Sequence, residues 1–569
     1  MLINSHHDNK VTDKSEKSKR RLYHRNHRNK HEKLNRKPCQ NYSNQITHYK
    51  PDQYHSLDFA VFYYYDVAAG KTTCWTELDI QNKGIKNFSP HLWELRHLTA
   101  LYLNNNKISR LPPEICQLQN LVHLDLSNNK LRSLPVELGD MLKLHDLLLT
   151  NNSIRLLPYE LGRLFQLTKL ELEGNPLTPE LLQKSREVNG TQKLLQFLLD
   201  TLEAPASPPD RPWLTVREKT GKHMSFKVMC YNILSDSLAK GTKYGYCPSS
   251  ALAWDHRKHL IMSQITESGA DIIALQEVET DKYYNFFLPA LKNQGYEGCF
   301  CPKSRSKTLP EEERKHVDGC AIFFNRNKFG LHKEKFIDYS QLAIANAEGA
   351  DDMINRVQTK DNIGIVCCLD IKEPSHGTRH NKLVILNTHI NWDPEYSDVK
   401  LIQNIMFMNE VETFVKEIKG CYSIPMVVAG DFNSTPDSAV IEFLLKSQIS
   451  TEHREFHGLK YHGFLKKANG ESLGNKNGCK HFKHGFKLKS CYSDDLLDKL
   501  RYTNYTYDFK GILDHIFHSK DSLRTVGVLG GIDVDWLKEN KIIGCPNVHY
   551  PSDHFPLISE LELINPNSR

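Results

Sequence analysis

The sequence predicts an α/β protein in two parts: a curved solenoid of short repeats, then a domain of alternating strands and helices. Three observations carry that prediction. Leucine-rich segments restart every 23 residues, at Trp75, Leu98, Leu121, Leu144 and Leu167. The proline-rich stretch EAPASPPDRPW, Glu203–Trp213, ends the periodicity. Beyond it, apolar β-type runs alternate with helical stripes, as in layered α/β domains.

The chain opens with a basic tail over residues 1–50. Residues 1–38 hold twelve Lys/Arg against four Asp/Glu, so this short stretch carries +8 of a chain whose net charge is +6. The remainder is therefore −2 and is no basic clamp for nucleic acid. Low complexity and like charge predict disorder in the tail. An RNA contact, a nuclear address and a plain solvated tail all fit its composition.

Residues 75–203 form the repeat region. LTALYLNNNKI, LVHLDLSNNKL and LHDLLLTNNSI follow L-x-x-L-x-L-x-x-N-x-L, the pattern of leucine-rich repeats. The leucines build a continuous core. Asn106, Asn129, Asn152 and Asn175 are expected to hydrogen-bond the turning backbone. Lys83 takes the Asn slot of the first repeat, as befits an end unit. Thr191–Leu202 reads as a closing helix that shields the last repeat. Such a solenoid offers a curved surface to a partner. Residues 204–221 read as an extended linker.

Residues 222–563 form the second domain. FKVMCYNIL, ADIIALQEVE, GCAIFFN, NIGIVCCLDI, KLVILNTHI, IPMVVAGDFN and GILDHIFH read as strands. HRKHLIMSQITES and Asp398–Lys419 read as helices. In the second helix Leu401, Ile405, Met408, Val411, Val415 and Ile418 form a packing stripe. Strand after strand ends in a polar group: Asn232, Glu277, His389, Asp431 with Asn433, Asp514, and Asp553 with His554. Alternation along an extended chain would aim Asp431 and Asn433 the same way. Open α/β sheets gather functional groups at one edge, so these ends are expected to share one site.

Carboxylates, amides and imidazoles without a cysteine suit Mg²⁺, with Mn²⁺ as the alternative, rather than zinc. Glu277, Asn232, Asp431 and Asp514 are the candidate metal ligands. Asp431 would hold and deprotonate an attacking water, and Asn433, His389 and His554 would donate to phosphoryl oxygens. Asn232 and Glu277 also count among the substrate contacts. Either Asp553 or Asp514 would orient His554. No Walker loop, G-x-G-x-x-G motif or Ser-His-Asp order competes. Metal-assisted hydrolysis of a phosphate ester is the chemistry this set implies.

LQEVE, NTHI, GDFNSTPDS, LDHIF and SDHFP, in this order, resemble the endonuclease/exonuclease/phosphatase superfamily. The resemblance implies a four-layer α/β sandwich after the leucine-rich solenoid. KVMCYNILSDSLA, WDPEYSDVKLIQ and YTNYTYDFKGILDHIF, joined to the repeats, are similar to the deadenylase branch and to the exonuclease subunits of Ccr–Not complexes. That likeness implies a Mg²⁺-dependent 3′→5′ exonuclease that shortens poly(A) RNA and releases 5′-AMP. It implies stacking of the terminal adenine between Pro394 and Phe509. It also implies that the repeats dock on a DEDD-type deadenylase subunit, which bridges to the Not scaffold.

One departure is His515, where relatives often carry Tyr. A small-molecule phosphatase or phosphodiesterase of the same fold, and a scaffold with an inactive nuclease domain, are the rival readings. Gly458–Ser490 reads as a basic, Gly-rich surface loop, in which Cys479, His481 and His484 offer weak metal spacing. No run of eighteen apolar residues predicts a membrane span. The N-terminus lacks an apolar signal core, and fourteen scattered cysteines fit reduced thiols. Together these point to cytoplasmic residence, with the nucleus as a second compartment.

Overall fold

The computed structural model describes residues 75–219, 223–346, 352–372, 380–418, 424–459, 461 and 481–564. The basic tail of residues 1–50 and most of the 458–490 loop, Cys479 included, lie outside the described residues.

The 23-residue period becomes a five-stranded parallel sheet: Glu77–Asp79, Ala100–Tyr102, His123–Asp125, Asp146–Leu148 and Lys169–Glu171. Each strand pairs with the residue 23 positions on, as in Leu124 with Leu147. The chain returns through 3₁₀ turns that start at or just after a proline. The slot asparagines are buried and stitch neighbouring repeats. Asn129 Oδ1 accepts from Ile108 N, and its amide donates to the Leu103 and Leu126 carbonyls.

The residue before each slot position adopts a left-handed conformation. Asn82, Asn105, Asn128 and Asn151 have φ of 55–57°, and Gly174 occupies the same position at 71°. Asn and Gly are the residues that tolerate this geometry. The closing helix, Gly190–Thr201, buries Leu194, Leu195 and Leu198 on the last repeat. It lies so close that a Cβ on Gly162 would stand 2.3 Å from Leu199 N.

The stretch expected to be an extended linker packs along the second domain. Arg211 donates to the Gly530 and Pro556 carbonyls, and Trp536 Nε1 donates to the Ala206 carbonyl. Trp213–Thr215 adds an edge strand to the second domain, so its sheet starts inside the expected linker. Unpaired backbone groups of an adjacent strand edge are what draw it in. The end of the solenoid and its closing helix also touch the second domain directly. Phe165 packs edge-on against Tyr246 and Tyr507, and Asp200 accepts from Ser249 N and Oγ.

The second domain is a sandwich of two sheets. One runs Trp213–Thr215, Leu523–Leu529, Leu557–Leu563, Ser225–Asn232, Ile272–Glu279, Asp318–Asn325 and Tyr296–Pro302 in spatial order. The other runs Phe329–Asp338, Ile363–Ile371, Lys382–His389, Met426–Asp431, Asp514–Ser519 and Leu488–Ser490. Val228, Ile272 and Ile322 of the first meet Ile365, Ile385 and Val427 of the second in one core.

The opposite faces are covered by helices. Ile261 and Ile265 of Trp254–Ser268 cover Met229 and Leu275. Ser397–Glu417 and Ala439–Lys446 cover Leu386 and Val428. Helix, sheet, sheet, helix is the expected four-layer arrangement. The central strands, such as Ile363–Ile371, Lys382–His389 and Met426–Asp431, are buried on both faces, which is why they read as continuous apolar runs. No helix among the described residues is long and apolar enough to cross a membrane.

Candidate active site

Three of the expected side chains occupy one row across adjacent strands. His389 is the register partner of Asp431, and Asp431 is the partner of Asp514. Asn232 closes its own strand in the facing sheet, and His554 lies just before the strand Leu557–Leu563 beside it. All belong to one rim of the sandwich.

Asp431 is the hub. Its Oδ2 accepts from Asn232 Nδ2 at 2.9 Å, and His389 Nε2 and His554 Nε2 lie 3.6 and 3.7 Å away. Its Oδ1 accepts from Asn433 N at 2.9 Å. Asn232 Nδ2 also donates to Glu277 Oε1 at 3.2 Å, so one amide ties the carboxylates of the two sheets together.

Glu277 reaches this point through a bulge rather than a strand end. Its strand continues to Glu279, but the pairing shifts between Gly319 and Ala321, and Glu277 has φ 59°. A bulge re-aims one side chain, and a left-handed non-glycine residue is the kind of strain that functional sites hold. Asn433 likewise departs from the alternation expected of it. The strand stops at Asp431, Asn433 has φ 43°, and its Nδ2 donates to the Ile390 carbonyl at 3.2 Å. A tight turn, not an extended chain, sets its direction. Lys400 Nζ fixes that turn by donating to the Asn433 carbonyl at 2.7 Å.

His554 Nδ1 donates to Asp514 Oδ2 at 2.8 Å, so Asp514 is the residue that orients it. Asp553, the other candidate, is engaged elsewhere: Tyr244 OH donates to its Oδ2 at 2.7 Å. Asn232 was expected to offer an oxygen to a metal. Its Oδ1 instead accepts from Leu234 N at 3.0 Å, and its NH₂ faces the carboxylates. Glu277 Oε2 accepts from Ser235 N, which leaves its carboxylate anchored at both oxygens.

The electrostatics follow from burial and proximity. Burial would lower the His554 pKa, but Asp514 and Asp431 raise it to about 10. Burial and the charge of Asp431 outweigh the attraction of His554 and leave Asp514 raised to about 6. Burial would raise Asp431, yet the charges of His554 and His389 hold it below the usual carboxylate range. At neutral pH the rim therefore carries an imidazolium between two carboxylates.

The donor set fits a divalent cation. Asp431, Asp514 and His554 place ligand atoms within 4.8 Å of one another, and Asp514 Oδ1 is buried without a hydrogen-bond partner. Glu277 adds a third carboxylate through Asn232. Acceptors outnumber donors here, which a hard cation would redress.

The support beneath the rim is not legible in the strand ends themselves. Gln276 Nε2 donates to Asn387 Oδ1 at 2.7 Å, and Asn387 Nδ2 donates to the Leu275 and Ala321 carbonyls. This buried amide bridge joins the two sheets one layer below the site. Both residues lie inside the motifs LQEVE and NTHI. Pro394 and Phe509 are both exposed, and so is Trp392 at 71%, an aromatic the sequence reading did not single out. His515 is buried, with Nε2 bonded to the Ser434 carbonyl at 2.8 Å, so it braces the turn after Asn433. His484 is a packed residue against Phe443, not a metal ligand.

Comparison with known proteins agrees with this geometry. Residues 229–554 match the model of the Endonuclease/Exonuclease/phosphatase family, and residues 76–131 and 96–154 match the leucine rich repeat model. The chain is 50% identical over 522 residues to the CCR4-NOT transcription complex subunit 6-like of Danio rerio, covering 88% of this chain and 92% of that protein. It is 38% identical over 440 residues to the CCR4-Not complex 3′-5′-exoribonuclease subunit Ccr4 of Schizosaccharomyces pombe, covering 69% of this chain and 60% of that protein. Among solved structures, ANGEL2, a 2′,3′-cyclic phosphatase in complex with adenosine-2′,3′-vanadate, matches with a TM-score of 0.50 and 25% identity over 62% of this chain and 99% of that one.

Proposed function

This chain belongs to the endonuclease/exonuclease/phosphatase family, and from that premise we propose that it is a Mg²⁺-dependent, poly(A)-specific 3′→5′ exoribonuclease working as a subunit of a Ccr4–Not-type complex. The observation that carries the reading is the Asp431 hub, where Asn232, His389, Asn433 and His554 converge on one carboxylate.

Mg²⁺, when bound, supplies charge neutralisation and Lewis acidity at the phosphate. Glu277 and Asp431 would hold it, with the second oxygen of Asp514 beside them. The side chains divide the remaining work. Asp431, held anionic by its imidazole neighbours, accepts the proton of the attacking water. His554, kept cationic by Asp514, donates to the phosphoryl oxygens as their charge grows, and His389 does the same from the facing sheet. Asn433 presents its amide at the turn. The bond to the departing 3′-oxygen breaks, and 5′-AMP leaves.

Specificity for adenine is assigned to the exposed Pro394 and Phe509, on which a terminal base can stack. A body of net charge −2 offers little overall attraction for the backbone, so stacking carries more of the recognition. The repeats would dock a DEDD-type deadenylase subunit and, through it, the Not scaffold. Cytoplasmic residence, with visits to the nucleus, belongs to the same reading.

The test is digestion of 5′-labelled oligo(A) and oligo(C) with Mg²⁺ and with a chelator. Stepwise shortening of oligo(A) alone, stopped by the chelator, is expected. Equal attack on both oligomers would refute the adenine assignment. Activity on cyclic or small phosphate esters alone would favour the small-molecule alternative.

A further inference from the structure

A second cluster of ligand-type side chains lies at the opposite kind of place, inside the sandwich at one of its side edges. Cys299 lies on Tyr296–Pro302, the last strand of the first sheet. Glu334 lies on Phe329–Asp338, the end strand of the second sheet, directly opposite Cys367 on Ile363–Ile371. Their Sγ and carboxylate oxygen atoms all lie within 4.8 Å of one another.

The strand pattern explains why Glu334 points there. Lys333 and Lys335 turn to the outer face and pair with Glu417 and Glu410 of the covering helix. Alternation then sends Glu334 to the inner face. Among the described residues, no Lys or Arg forms an ion pair with Glu334. The Glu334 carboxylate and the two thiols thus converge at the solvent-facing edge of an apolar core. Cys367 is fully buried and Cys299 nearly so, whereas Glu334 is exposed and keeps the cluster open to solvent. Both cysteines are free. Without a cation their surroundings oppose ionisation. The neighbouring Cys367 thiol, then burial, then Glu334 push the Cys299 thiol well above its ordinary pKa.

We propose that Cys299, Cys367 and Glu334 form a second metal site, for a thiophilic divalent cation such as Zn²⁺, which clamps the two sheets together at this edge. Two sulfur ligands and one carboxylate select zinc over magnesium, so this site and the catalytic rim would draw on different ions. Binding displaces one proton from each thiol, giving two thiolates on Zn²⁺ and two protons in solvent. The fourth position, on the Glu334 side, is left to water. Because the ligands come from both sheets, the ion adds a link between them at this edge. The proposal does not depend on the nuclease reading.

The full chain, stripped of metal, is titrated with Co²⁺ and then Zn²⁺. A thiolate-to-cobalt charge-transfer band is expected at one equivalent, bleached by Zn²⁺ and unmoved by excess Mg²⁺. Cys299→Ser and Cys367→Ser should abolish the band. Glu334→Gln, at an exposed position, should fold normally and weaken binding about tenfold or more. Zn²⁺ should also slow alkylation of Cys299 by a maleimide and raise the melting temperature. Absence of the band in the wild type, or a band that survives either cysteine substitution, overturns the proposal. Should a cysteine variant not fold, unchanged cobalt affinity in Glu334→Gln together with unprotected Cys299 overturns it equally.

Discussion

Replacing Asp514 by Asn keeps the shape beside His554 and removes one charge. In the native site His554 Nδ1 donates to Asp514 at 2.8 Å with both groups buried. The ring pKa stands at about 10 against an ordinary 6.5, because Asp514 and Asp431 outweigh burial. That rise corresponds to about 5 kcal/mol of preference for the charged ring, shared between two carboxylates. The share lost with Asp514 is that of one charge-assisted hydrogen bond, roughly 1.5–3 kcal/mol. If the imidazolium stabilises the transition state, kcat should fall about 10- to 150-fold.

The pH profile gives the sharper reading. A raised folded pKa keeps the ring charged below about 10 and lets the charge go as pH rises through that value. Loss of Asp514 should therefore move the alkaline limb of kcat down by about one to two pH units. The assay is single-turnover shortening of labelled oligo(A) across pH, with circular dichroism confirming the fold. A kcat within threefold of wild type and an unmoved alkaline limb would refute the assigned role of His554.

Phe509→Ala should raise the KM for oligo(A) about 5- to 150-fold, the range of one lost base stack, while leaving kcat less affected; steady-state kinetics on oligo(A) checks this. Asn152→Ala strands the buried Leu131 N–H and removes one of the two amide donors to each of the Leu126 and Leu149 carbonyls, so thermal unfolding should show a loss of about 1–3 kcal/mol with kcat on oligo(A) unchanged. His484, His515 and His518 are buried neutral, with burial lowering each to about 4. Their folded pKa lies below the unfolded value, so the stability they protect is full above about 6.5 and is lost as pH falls toward 4. Denaturant titrations at pH 7 and pH 5 should show the drop, and restoring His518→Gln should flatten it in part.

Much of this architecture is written locally. A fixed 23-residue period forces a stacked solenoid, because each leucine set can be buried only by its neighbours. The six polar strand ends of the second domain announced a shared rim for a similar reason: a buried strand has no local use for a terminal carboxylate. What the sequence hid is non-local. The bulge at Glu277 exists only relative to the partner strand at Gly319 and Ala321. The pairing of His554 with Asp514 rather than Asp553 depends on which strands become neighbours, and Asp553 is claimed by Tyr244 from a distant loop. The docking of the expected linker was hidden too, since three residues of strand, Trp213–Thr215, carry almost no periodicity of their own. The Gln276–Asn387 bridge was spelled out in the motifs, but its meaning needed both sheets.

The most direct test of the account uses Glu277→Gln, which keeps the side-chain shape at the bulge and removes the anchored carboxylate charge. With saturating Mg²⁺ and labelled oligo(A), the wild type should shorten the oligomer one nucleotide at a time, and the folded variant should leave it intact. Shortening by the variant at the wild-type rate would contradict the assignment of the rim as the catalytic centre.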